Sequence, residues 1–235
     1  MKKLMTILAV SAATVTSGFS QGAIQFQNSG TTRVSVNSSI GGTSFATLPN
    51  TANSYYFALF YSATATTVDG GTSAVVGEAG DTAANFVLGD SGWTFAGGTT
   101  PAIAASQQAS KGGTFASLVA DSNNNTYVNG VGAGGTANFV VIGWSANIGS
   151  TEQSLVNFFN NNDGGVTTGW VGQSTLSGPI TLGSGGLSLT PSLFGSPGIG
   201  SGFSLGELQI VPEPSSIALG VMGAASLLAL RRKKA

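Results

Sequence analysis

The spacing of apolar and polar positions predicts a succession of short strands. Ile24 and Phe26 alternate with Gln25 and Gln27 over residues 23–28, and Val34 and Val36 alternate with Arg33, Ser35 and Asn37 over residues 33–37. Alternation of period two puts one face on a core and the other in water. Residues 55–61 (Tyr-Tyr-Phe-Ala-Leu-Phe-Tyr) form a nearly continuous aromatic and apolar run, fit for a central strand covered on both faces. Residues 85–88 and 93–95 flank Gly89-Asp90-Ser91-Gly92, which reads as a hairpin. Residues 114–119 and 136–144 are further strands, the second being the strongest in the chain, and residues 203–210 alternate cleanly.

One segment departs from this period. Over residues 150–160, Leu155, Val156, Phe158 and Phe159 make an apolar stripe at helical spacing. Ser150 stands where an N-cap would, Gln153 completes a capping box three residues on, and an Asn-rich run to Gly165 ends the helix. Near-regular strands with turn signals between them predict a mainly β body, an antiparallel β-sandwich or jelly roll with this one short helix against a sandwich end. No internal repeat of fixed period stands out, and residues 23–210 read as one β-rich domain.

Composition sharpens this picture. Glycine occupies 36 of 235 positions, about twice the usual share, which disfavours helices and serves turns and bulges. Charged residues are only 7%, yet 41% hydrophobic residues and 13 Phe are more apolar surface than a disordered chain leaves in water. Cysteine and histidine are both absent. Disulfides, thiolate nucleophiles, Ser-His-Asp triads and His-ligated zinc or copper are thereby excluded. Between residues 23 and 210 the only cations are Arg33 and Lys111. Against them stand eight acids, Asp69, Glu78, Asp81, Asp90, Asp121, Glu152, Asp163 and Glu207, a net of about −6. Such a body has no phosphate-neutralising patch, so nucleic acid is not expected as a partner.

Both ends carry apolar runs beside basic residues. Lys2 and Lys3 precede an apolar stretch and then small residues to Ser20, the layout of a secretory signal peptide over residues 1–22; signal peptidase could cut after Ser20, Gly22 or Ala23. At the other end Pro212-Glu213-Pro214 leads into an apolar run of about 14 residues, 217–230, which stops at Arg231-Arg232-Lys233-Lys234. A short hydrophobic helix closed by a basic cluster is a stop-transfer device, because Arg and Lys resist crossing and stay cytoplasmic. The run is short for a bilayer core of about 30 Å. It spans by recruiting Ser215 and Ser216 and letting the Arg and Lys side chains snorkel.

Taken together, the Pro-Glu-Pro triplet, the single transmembrane segment and the terminal basic cluster resemble the PEP-CTERM sorting signal, over residues 211–235. The resemblance implies an exported cargo of a Gram-negative-type, exopolysaccharide-producing bacterium. It would be tethered to the inner membrane and then processed near Pro212, Glu213 and Pro214 by an exosortase, for the cell surface or extracellular matrix. It implies an address and leaves the role of the body open.

Candidate chemistry within the body is sparse. Residues 121–126 begin like a calcium loop, but the sixth position is Thr126 and Gly132 stands where a bidentate Glu is needed, so an Asn-rich turn is the simpler reading. Gly132, Gly134 and Gly135 are followed by a β-run and not by the helix a phosphate loop requires. Trp93, Trp144 and Trp170 could form a carbohydrate-stacking platform, or could be core and loop packing. Two facing carboxylates could hydrolyse glycosides, with Glu78 and Asp81 the nearest pair in sequence. The expectation is a noncatalytic structural or adhesive component of an exopolysaccharide matrix, with no cofactor. A carbohydrate-binding module and a carboxylate-dependent hydrolase are the alternatives.

Overall fold

In the computed structural model, the described residues are 21–37, 42–96, 105–107, 111–117, 120–121, 125–160, 165–184 and 190–210. The two predicted terminal segments lie outside them, except Gln21 and Gly22. Among the described residues no helix is long and apolar enough to cross a membrane.

The fold is mainly β, and its centre is one long antiparallel pair. Strand β4 (Tyr55–Ser62) runs against β10 (Thr136–Ser145) in unbroken register from Tyr55↔Ser145 to Ser62↔Asn138. These are the two most continuously apolar segments of residues 23–210, and both are covered on both faces: every residue of β10 after Thr136 is buried. A strand with no wet face has no polar period to keep, which is why these two read as apolar runs.

Further strands add to each side of this pair. On one flank β11 (Thr168–Gln173) pairs with β10, β13 (Ser204–Gln209) with β11, β2 (Ser35–Asn37) with β13, and β3 (Phe45–Thr47) with β2 at the edge. On the other flank β7 (Ala105–Gln107) and β8 (Phe115–Ser117) follow β4. Three two-residue strands, β5 (Val75–Val76), β6 (Thr94–Phe95) and β12 (Ile180–Thr181), attach to β11, β4 and β10 and complete an 11-stranded sheet. A second, two-stranded sheet joins β1 (Gln21–Ile24) to β9 (Thr126–Gly132). The larger sheet is mixed: pairing is antiparallel among the named strands except β13 with β2, which is parallel. These two strands are far apart in the chain, and a parallel neighbour needs such a crossover.

Buried apolar residues of both sheets form a single cluster. Phe115 is its hub, stacked on Phe57 at 4.1 Å and meeting Phe26 edge-on at 5.3 Å and Phe194 at 5.7 Å. Each fully buried Phe contributes about 1.5–3 kcal/mol by leaving water, so the aromatic residues take the place of the missing disulfides. Some of the glycine is there for close approach: a Cβ on Gly206 would meet the Gly77 carbonyl oxygen, and one on Gly172 the Ser204 carbonyl oxygen. At these points β11, β13 and the chain after β5 touch backbone to backbone.

Two local expectations are corrected. The helix α1 spans Glu152–Phe159, but its cap is Thr151 and not Ser150: Thr151 Oγ1 accepts the Ser154 N–H at 3.1 Å. Gln153 instead donates along the outer face to Asn157 Oδ1 at 3.0 Å. Residues 85–88 are not the first arm of a hairpin. They belong to two successive 3-10 turns, Ala83–Asn85 and Val87–Gly89, and only the second arm forms a strand, pairing with β4. The local polar groups decide this. Asn85 Oδ1 accepts the Thr82 N–H at 2.8 Å, while Val87 N–H is taken by the Gln173 side chain at 2.6 Å and has no strand partner.

Candidate functional site

The triplet Pro212, Glu213 and Pro214, expected to direct sorting, and the basic cluster Arg231, Arg232, Lys233 and Lys234 lie outside the described residues, as does Asp163. The geometry therefore bears on the body.

All three tryptophans are held by their indole N–H. Trp144 is completely buried and donates to the Gly149 carbonyl at 2.8 Å. Trp93 is 6% exposed and donates to the Thr67 carbonyl at 3.0 Å. Trp170 is half-buried and donates to the Asn37 carbonyl at 3.2 Å. An indole stacks on a sugar only through a free face, and Trp144 and Trp93 have none. The platform of three expected as one alternative is thus reduced to Trp170. The exposed large apolar side chains of the described residues are Phe45 and Tyr127.

Tyr127 belongs to the segment that began like a calcium loop. Its hydroxyl donates to Asp121 Oδ2 at 3.0 Å, and this bond raises the phenol's pKa. Asp121 also accepts the Asn125 backbone N–H at 2.9 Å and its Nδ2 at 3.1 Å. A carboxylate so used closes a turn, the role Asp and Asn commonly fill there. Among the described residues no group of three or more acidic side chains could hold a metal ion.

The structure joins two acids that sequence spacing did not. Asp90 Oδ1 accepts the Gly92 N–H at 2.8 Å, and its Oδ2 accepts the Asp69 N–H at 3.2 Å. Asp69 sits in the left-handed region at φ 46°, which Asp tolerates better than most residues. Its carboxyl is raised above the usual range, first by desolvation and then by the charge of Asp90. Glu78 and Asp81, the nearest pair in sequence, meet through backbone: Asp81 Oδ2 accepts the Glu78 N–H at 2.9 Å. Both arrangements brace turns.

The body's two cations prove to be neighbours, although the chain separates them widely. Val34 N–H donates to the Gly113 carbonyl at 2.9 Å, which ties the residue after Arg33 to the turn that begins at Lys111. Asn28 locks the same joint: Nδ2 donates to Gly113 O at 2.9 Å, and Oδ1 accepts the Phe115 N–H at 2.7 Å. Both Arg33 and Lys111 are exposed. The sequence shows the two residues as the sole cations of the body, but nothing local signalled that their segments are joined.

No family model, no curated protein and no solved structure matches the chain.

Proposed function

We propose that this chain is a noncatalytic exported protein, structural or adhesive in an exopolysaccharide matrix and addressed by its C-terminal tail. The observation that carries the proposal is the tripartite pattern of residues 211–235: Pro212-Glu213-Pro214, an apolar run, and Arg231 to Lys234. The prolines keep the triplet extended, the apolar run enters the inner membrane, and the basic cluster stops transfer. An exosortase then cuts near the triplet and releases the body to the surface of a Gram-negative-type cell. The body itself is a jelly-roll-like β-sandwich, the β1–β9 sheet forming part of the layer opposite β4 and β10. In support, Ile24, Val128 and Val131 enter the same buried cluster as Phe139 and Ile142. The noncatalytic reading is supported by the way Asp90 and Asp121 spend their oxygens on turn-closing hydrogen bonds.

The N-terminal cut falls after Ser20 in this proposal. Gln21 and Gly22 are already in β1, opposite Gly132 and Val128, and Ala23 exchanges backbone hydrogen bonds with Gly183 at 2.8 and 3.0 Å. A cut after Gly22 or Ala23 would remove two or three of the four paired residues of β1 from the folded body. The test is the intact mass of the protein recovered from its host. A species from Gln21 to the region of residues 211–214 is expected. A species that retains Arg231 to Ala235 would make the tail a permanent anchor and overturn the sorting reading.

A further inference from the structure

We propose that one face of the β2–β3 ribbon, with the adjoining Lys111 turn, is a docking strip for an acidic polysaccharide, a polymer of carboxylate-bearing sugars. This rests on the matrix reading above and names the partner's chemistry. The antiparallel register Ser35↔Thr47 and Asn37↔Phe45 puts those residues on one face, since directly opposed side chains share a side. The Ser204 hydroxyl of β13 joins Ser35 there at 2.7 Å. Two residues back from Ser35, Arg33 returns to the same side. A Cβ built on Gly113 would stand 3.0 Å from Arg33 Cβ and 2.9 Å from Thr47 Cγ2, so the Lys111 turn abuts both residues. At the far end Phe45 is 43% exposed, and β3 is exposed along its whole length. Phe45 lies about 13 Å along the strand from the position opposite Arg33, a span suited to a polymer and not to a single ion.

Charge selects the occupant. The body carries about −6 and its two cations are both here; no acidic residue occurs between Asn28 and Asn50 or between Ala105 and Ala120. One acid of the neighbouring strand adjoins the strip, since the Glu207 N–H donates to the buried Asn37 Oδ1 at 2.9 Å. The strip is nonetheless the part of the body that carries both cations, and a polyanion is attracted here and repelled by the acids elsewhere. Arg33 offers a planar fork that matches a carboxylate, Lys111 a mobile point charge, Phe45 an apolar ring for the C–H face of a sugar, and Ser35 and Thr47 hydroxyls.

The experiment is calorimetric titration of the full chain, in detergent, with polygalacturonate and with neutral dextran. Binding to polygalacturonate alone is expected, weakening with salt. The double variant R33Q/K111Q should lose about tenfold in affinity, the scale of two solvated charge contacts. F45A should weaken binding without changing the salt slope. A tail variant, R231Q/R232Q/K233Q/K234Q, should bind as the parent does, because those cations are not part of the strip. Loss of binding in the tail variant alone, equal binding of dextran, or an F45A effect seen only as a change in oligomeric state would overturn the proposal. The last result would assign the edge to a second copy. The matrix reading fails separately: a sorted, processed protein indifferent to polygalacturonate defeats the strip alone, whereas an anchored, unprocessed one defeats the address.

Discussion

At the scale of single residues, burial shifts some of the ionisable groups, and Glu152 shows this most directly. It opens α1, where the positive end of the helix favours a carboxylate, yet desolvation holds its pKa above the ordinary 4.5. Below 4.5 the group is protonated in folded and unfolded chains alike, and burial costs nothing. Above the raised folded value it is ionised in both, and the folded state bears the desolvation cost. Its contribution to stability therefore falls as pH rises from 4.5 through the folded value. E152Q removes this dependence, so the difference in Tm between E152Q and the parent should grow in favour of E152Q from pH 4 to pH 7. A difference that stays flat over that range would show that the carboxyl is as solvated folded as unfolded. The sequence could name Glu152 as a first-turn acid but could not show its burial. The tryptophans mark the same boundary. Trp144, inside the strongest strand, was legible as core, but the carbonyls of Gly149, Thr67 and Asn37 that hold the three indoles are tertiary facts.

At the scale of elements, periodicity was reliable where an element's pattern and its environment agree. The runs at 55–61 and 136–144 became β4 and β10, and the apolar stripe at Leu155 and Phe158 is the buried face of α1. It failed at residues 85–88, where an apolar run between polar residues imitates a strand. There a side chain from another strand completes the structure: Gln173, itself buried, accepts the Val87 N–H at 2.6 Å and pins the second 3-10 turn. Strands β9 and β11 were missed for the opposite reason. Glycines interrupt their pattern, and the reason for those glycines, such as Gly172 beneath Ser204, lies in a neighbouring strand. Replacing Gln173 by Leu keeps the volume and removes the acceptor, leaving a buried N–H unpaired at a cost of about 1–3 kcal/mol. Q173L should lower Tm by roughly 2–12 °C and speed hydrogen exchange at the Val87 amide. Unchanged exchange at Val87 would show that the turn is held by its own backbone bonds, Gly89 N–H to Phe86 O and Asp90 N–H to Val87 O.

At the scale of the molecule, β1 ties residues 21–24 to distant parts of the chain. The first described residue, Gln21, is already paired, and β1 joins β9 to the segment at Gly183 on its other side, through Ala23. On the proposed export, signal cleavage and folding would compete for the same few residues: each cut that satisfies small-residue preference beyond Ser20 costs the body part of a strand. The sequence allowed three cuts because it shows only side-chain size, whereas the fold separates them by what each removes. Starting at Ile24 deletes the pairs to Gly132, Val128 and Tyr127, the two bonds between Ala23 and Gly183, and the burial of Ala23. At about 0.5–1.5 kcal/mol net per backbone hydrogen bond, this amounts to roughly 2–4 kcal/mol. A chain beginning at Gln21 and one beginning at Ile24, otherwise identical, should therefore differ in Tm by roughly 4–16 °C, the longer being the more stable. Equal melting would mean that β1 adds nothing before Ile24. In the proposed export, all three cut positions would then again be open to signal peptidase.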